Sequence, residues 1–125
     1  ACPMLYPSHF YGNFLGMTNP VDYPYFLVFE GVRRIRLLAE AHGVAVRPWV
    51  QSFPYRITDF DQAYVTEQIQ GADDAGADGY LLWHPASRYG VGLAAIRQST
   101  EGVIEPQPHR MPELLGARTE SVNDM

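Results

Sequence analysis

Short apolar runs alternate with longer stretches of helical spacing along this chain. Residues 3–6, 44–53 and 80–83 are the three strand-like runs, and each leads through a loop into a helical pattern. A long loop punctuated by Asn19-Pro20 and Asp22-Tyr23-Pro24 follows the first run. Beyond it Tyr25, Val28, Val32, Ile35 and Ala39 recur on one helical face, while Glu30, Arg33, Arg34 and Glu40 fall largely elsewhere. Gly43 ends that helix, because glycine accepts the left-handed backbone that closes a helix C-terminus. Asp61 is placed to cap a second helix with a buried stripe of Val65, Ile69 and Ala72, stopping at Gly76. A third, weaker pattern carries Leu93 and Ile96 and fades by Gly102.

Strand and helix in regular succession read as β/α units, and the handedness of such crossovers makes neighbouring strands parallel. The expected fold class is therefore α/β, with a sheet buried on both faces. A closed (β/α)8 barrel takes about 250 residues, roughly 30 per unit, so 125 residues hold three or four units and cannot close one. Three parallel strands alone leave two unpaired edges. The expectation is a segment of a larger domain, or a chain that folds alone only by self-association. Its opening on Ala1, straight into an apolar stretch, is what a cut end looks like. Residues 1–103 are read as the β/α part. Residues 104–125 break the pattern: Pro106, Pro108 and Pro112 interrupt a polar stretch in which Leu114 and Leu115 are the main apolar residues, so it reads as a tail, disordered or draped on the surface.

In parallel β/α architectures the working face lies at the carboxyl ends of the strands. Those ends carry Tyr6, Ser8 and His9 after the first run, Arg47, Trp49, Gln51 and Ser52 in and after the second, and Trp83 and His84 at the third. Period-two alternation puts Arg47, Trp49 and Gln51 on one face and Pro48 and Val50 on the other. An arginine and a glutamine are costly against packed helices, so the Arg47 face is read as the barrel interior, and Leu81 and Trp83 point the same way. Aromatic platforms beside amide and guanidinium donors suit a sugar, whose C–H face stacks while its hydroxyls take hydrogen bonds. Two bland readings stand beside that one: Trp49 and Trp83 as filling for the sheet core, and Arg47 as one half of an interior ion pair.

Composition narrows the chemistry. The net charge is −5, with nine arginines and no lysine, which disfavours a nucleic-acid or anionic-membrane partner and removes Schiff-base chemistry and the P-loop lysine. The lone Cys2 excludes a disulfide framework within the chain and a thiolate zinc cluster. No run approaches membrane-spanning length. Of the four histidines only His9 and His84 could share a barrel mouth, and no carboxylate adjoins either, so no metal or cofactor is expected. Ser8 and Ser52 lack the glycine-flanked elbow of a serine hydrolase. The glycines between 71 and 79 lack dinucleotide or P-loop spacing and read as helix ends and turns, and Gly90 and Gly92 are a thin basis for a phosphate loop. Asp73, Asp74 and Asp78 precede the third run, at the wrong end for catalysis. Glu30, Glu40 and Glu67 lie on helices. Asp59 and Asp61 are the acids nearest the working face, and Asp61 sits where a cap belongs.

Several motifs stand in a familiar order: Pro3-Met4-Leu5-Tyr6-Pro7-Ser8-His9-Phe10, Asn19-Pro20 with Pro24-Tyr25, Arg47-Pro48-Trp49-Val50-Gln51-Ser52-Phe53, Gln68-Ile69-Gln70, and Asp74-Ala75-Gly76-Ala77-Asp78-Gly79-Tyr80-Leu81-Leu82-Trp83-His84-Pro85 with Tyr89. Together they resemble the final third of the bacterial "putative glycosyl hydrolase domain" family, which is similar to the TIM-barrel glycoside hydrolases. The resemblance implies that the three runs are strands six to eight of a barrel. It implies that Tyr6, His9, Arg47, Trp49, Gln51, Trp83 and His84 line a carbohydrate cleft, and it points towards an extracytoplasmic or secreted setting. Two departures matter: the family usually has Asp where this chain has Ser52 and Asn where it has His84. The family's acidic motif of an earlier strand has no counterpart here. Glycoside hydrolysis generally needs two carboxyl groups flanking the scissile bond, so the expectation is a chain that supplies cleft walls and not the acid pair. The rival expectation is a non-catalytic carbohydrate-binding or scaffold domain.

Overall fold

A computed structural model describes residues 1–112. Among them are two β-strands, β1 (Trp49–Gln51) and β2 (Leu81–Trp83), and three α-helices, α1 (Pro24–Glu40), α2 (Gln62–Asp74) and α3 (Gly90–Thr100), with single 3-10 turns at Pro7–His9, Pro20–Asp22 and Pro108–Arg110. The strands run parallel, with Trp49 opposite Leu81, Val50 opposite Leu82 and Gln51 opposite Trp83. The fold class is thus α/β, and all three helical patterns read from the sequence form helices.

The strands are shorter than the apolar runs that announced them. The first run contributes one parallel bridge, Met4 to Trp49, in which Trp49 N–H donates to Pro3 (2.9 Å) and Leu5 N–H to the Trp49 carbonyl (3.2 Å). Continuing that ladder would require an N–H from residue 7 to the Gln51 carbonyl. Residue 7 is proline, which has none, and the chain turns away at Pro7–His9. The side chain of Gln68, from α2, takes the vacant place: its Nε2 donates to the Gln51 carbonyl and its Oε1 accepts from the Gln51 N–H, both at 2.8 Å. At the other end of β1, residues 44–48 run extended with few ladder partners; the Asp78 carboxylate accepts from Val46 N–H (2.8 Å) and Arg47 N–H donates to the Ala1 carbonyl (2.8 Å).

Helix boundaries follow local chemistry. Pro24 occupies the first turn of α1, where a missing N–H costs nothing, and Gly43 (φ 63°) follows its end. Asp61 caps α2, its carboxylate accepting from Tyr64 N–H at 2.8 Å. All three helices pack on one side of the sheet. Leu5 and Val46 meet Leu27, Val28, Val32 and Ala39 of α1 and Ala72 of α2, while Tyr80 and Leu82 meet Val65 and Ile69 of α2 and Ala95 and Ile96 of α3. Helix α2 is central, buried without a break from Tyr64 to Ala72. Gly71, grouped with the turn glycines by its sequence context, lies inside this helix where α1 crosses it: a Cβ there would come within 2.5 Å of the Tyr25 carbonyl oxygen.

The opposite face of the sheet carries Met4, Trp49, Leu81 and Trp83, and no helix among the described residues covers it. Met4 is 68% and Trp83 42% exposed. The expectation of a sheet buried on both faces is therefore met on one face only. Residues 104–112 lie along α2, anchored by Ile104 N–H to Gln70 Oε1 (3.2 Å), Gln107 N–H to Glu67 Oε1 (2.7 Å) and Arg110 to Glu67 Oε2 (3.2 Å). The rest of the 104–125 stretch, with Leu114 and Leu115, lies outside the described residues.

Candidate functional site

At the carboxyl end of the sheet, ring follows ring. The Tyr6 ring meets His9 edge-on at 5.3 Å and Phe53 at 5.7 Å; Phe53 meets His84 at 6.4 Å, and His84 meets Tyr89 at 6.3 Å. They come from three successive strand ends: Tyr6 and His9 from the first extended segment and its 3-10 turn, Phe53 just past β1, and His84 and Tyr89 past β2. Phe53 and Tyr89 were not singled out as site residues from sequence. Their signal was their place two residues beyond β1 and immediately before α3. Burial, with the Tyr89 phenol as a smaller contribution, raises the Tyr6 phenol above its ordinary range and keeps it a neutral donor. His84 accepts at Nδ1 from Ala86 N–H (2.9 Å), which leaves Nε2 to carry the proton of the neutral ring and makes it a donor.

Below this cluster, on the uncovered face, Trp49 and Trp83 meet edge to face with centroids 6.2 Å apart. In this edge-on contact one ring covers a single face of the other, so the two indoles leave their remaining faces free of each other. Trp49 is half-buried, and Trp83 is the more exposed of the two.

Gln51 sits on the same face but is fully buried, and its amide is taken up by the backbone. Oε1 accepts from Ser8 N–H (3.1 Å), and Nε2 donates to the carbonyls of Phe53 (3.0 Å) and Tyr55 (3.1 Å). It ties two loops together at the strand end. Arg47 is exposed at the other end of β1, beside Gly79. Four residue steps of extended chain, roughly 13 Å, separate it from Gln51. The structure therefore gathers Tyr6, His9 and His84 in one cluster and Trp49 with Trp83 in a second, and it leaves Arg47 apart.

Several of the acids are engaged elsewhere. Asp61 caps α2 and also accepts from Arg110 (3.3 Å), Glu67 (2% exposed) pairs with the buried Arg110 (4% exposed), and Asp74 accepts from Tyr25 (2.7 Å) and Gln70 (2.7 Å). Ser52, at the position where the resembled family carries an acid, points away from the aromatic cluster: a Cβ on Gly92 of α3 would meet its Oγ at 2.6 Å. Its hydroxyl is buried without a partner among the described residues. No group of three or more metal-ligating side chains occurs among the described residues, and no helix among them is long and apolar enough to cross a membrane.

A parallel α/β unit with aromatic and donor groups collected at its strand ends is the class of protein that results. Residues 1–89 match the family described as "Putative glycosyl hydrolase domain", which covers well over half of the chain, and the chain belongs to that family. No curated protein matches it. No solved structure does either.

Proposed function

We propose that this chain is the wall of a (β/α)8 barrel, strands six to eight, and that the barrel acts on an oligosaccharide or polysaccharide. The observation that carries the reading is the uncovered sheet face. A sheet with every described helix on one side, and Met4, Trp49, Leu81 and Trp83 uncovered on the other, is what one arc of a barrel presents before the remaining strands cover it. Sugar stacks on Trp49 and Trp83, and His84 Nε2, the Tyr6 phenol and His9 supply donors at the rim. Gln51 positions the loops and does not touch the ligand. Arg47, at the amino end of β1, serves the barrel floor. Cleavage of a glycosidic bond draws its two carboxyl groups from strands outside these residues.

A second reading, a carbohydrate-binding barrel without turnover, is favoured by one specific observation: Ser52 is packed against Gly92 and faces away from the cluster.

Tryptophan fluorescence titrations of the full-length protein with a panel of neutral and acidic oligosaccharides test the proposal. Trp83→Ala should weaken binding by at least tenfold while leaving the thermal midpoint within about 2 °C, as befits a half-exposed ring. Unchanged affinity would reduce Trp83 to packing, and absence of binding across the panel would remove the carbohydrate reading. Product release from the same panel separates enzyme from binding domain.

A further inference from the structure

Beside the aromatic cluster, the loops after the first extended segment and after β1 enclose a cleft of about 220 Å³ lined by Ser8, Tyr11, Thr18, Asn19 and Arg56 among others. Arg56 is the charged residue of that lining. Its guanidinium lies over the Tyr11 ring at 4.8 Å and near the Tyr55 ring at 5.4 Å. Two rings restrict the swing of the planar fork, which lowers the entropy lost when it engages a ligand. Among the described residues Arg56, like Arg47, Arg88 and Arg97, has no acid partner, whereas Arg33, Arg34, Arg36 and Arg110 each have one. Arg56 also holds a left-handed backbone conformation (φ 61°), a costly state for a long side chain that persists only where the surroundings impose it.

Those surroundings are built. The Gln51 amide fastens both walls of the cleft, accepting from Ser8 N–H on one side and donating to the Tyr55 carbonyl on the other. Ser8, a lining residue, is itself buried, and its hydroxyl has no partner among the described residues. His9, the next residue, belongs to the aromatic cluster. The turn Pro7–His9 thus shows one residue to the cluster and its neighbour to the cleft.

We propose that this cleft is a subsite for the carboxylate of an acidic sugar, received by Arg56, so that the glycan handled here carries uronic-acid units. The proposal rests on the carbohydrate reading above and names its substrate class. An arginine fork matches a carboxylate in two parallel hydrogen bonds. The cleft is smaller than the ~300 Å³ at which typical small-molecule pockets begin, so it receives one unit of a chain whose other units lie on the tryptophans.

The test titrates the full-length protein with three probes of equal length: an oligogalacturonide, a neutral gluco-oligosaccharide and a sulfated oligosaccharide. The oligogalacturonide should bind at least tenfold more tightly than the neutral probe. Arg56→Ala should remove that preference and leave the neutral affinity unchanged. Arg56→Lys should restore part of it, keeping charge without the fork. Trp83→Ala should weaken both acidic and neutral probes. Neutral and acidic probes bound equally well, with Arg56→Ala silent, overturn the subsite and leave the carbohydrate reading standing. A preference for the sulfated probe overturns the carboxylate assignment. No binding of any probe overturns both.

Discussion

Gln68 shows how much one side chain can decide in this protein. It lies on a helix, yet its amide completes the hydrogen bonding of a strand at the point where Pro7 cannot. Replacing it with leucine, Gln68→Leu, would leave a buried N–H and a buried C=O of Gln51 without partners, at about 1–3 kcal/mol each. The variant should unfold at a urea concentration lower by an amount worth about 2–6 kcal/mol, and a change below about 1 kcal/mol would show that water or a neighbouring strand can take over. Gln51 has the same character: its place on the cleft face was legible from period-two alternation, but the use of its amide was not. Alternation tells which way a side chain points and says nothing of the backbone groups waiting there. Glu67 and Arg110 make the same point at greater sequence distance. Neither is marked by any local pattern, and each is buried because the other is there.

At the scale of elements, the helices were more legible than the strands. A helix satisfies its own backbone, so Pro24, Asp61 and the apolar stripes mark its limits from within. A strand is defined by its neighbours. The run 44–53 therefore shrank to Trp49–Gln51 and the run 3–6 to a single bridge, because proline at positions 3, 7 and 48 removes donors and β1 finds partners over only a few residues. Contact between helices was also out of reach. Gly71 lies where α2 meets α1, and Gly71→Ala should push the helices apart against the Tyr25 carbonyl. The expected loss is about 1–3 kcal/mol, as for overpacked cores, read as a lower thermal midpoint. A midpoint raised by the better helix propensity of alanine would show that the crossing is looser than its geometry indicates.

Over the whole molecule, three tyrosines tie distant segments together and make stability depend on alkaline pH. Burial raises the phenols of Tyr6, Tyr25 and Tyr64 above the ordinary tyrosine value. A hydrogen bond to Asp74 adds to the effect at Tyr25, and Arg110 opposes it at Tyr64. Because the folded values are the higher ones, their contribution is complete below the unfolded pKa of about 10 and is lost as pH rises above it. Thermal midpoints should be flat from pH 8 to about 9.5 and then fall, less steeply in Tyr64→Phe. A midpoint constant to pH 11.5 would contradict this.

From the order of residues alone came the alternation of β and α units, the two faces of the sheet, the cap at Asp61, the family, and the concentration of aromatic residues at the strand ends. Each of these is set by neighbours within a few positions or by a motif carried in the chain itself. Tertiary structure decided which of those residues face open space and which are consumed as struts. It placed Arg47 at the far end of β1, turned Ser52 towards Gly92, and set Arg56 between two tyrosines. The physical reason is that hydrogen-bond satisfaction and burial are properties of pairs brought together by folding, and local sequence does not encode the partner.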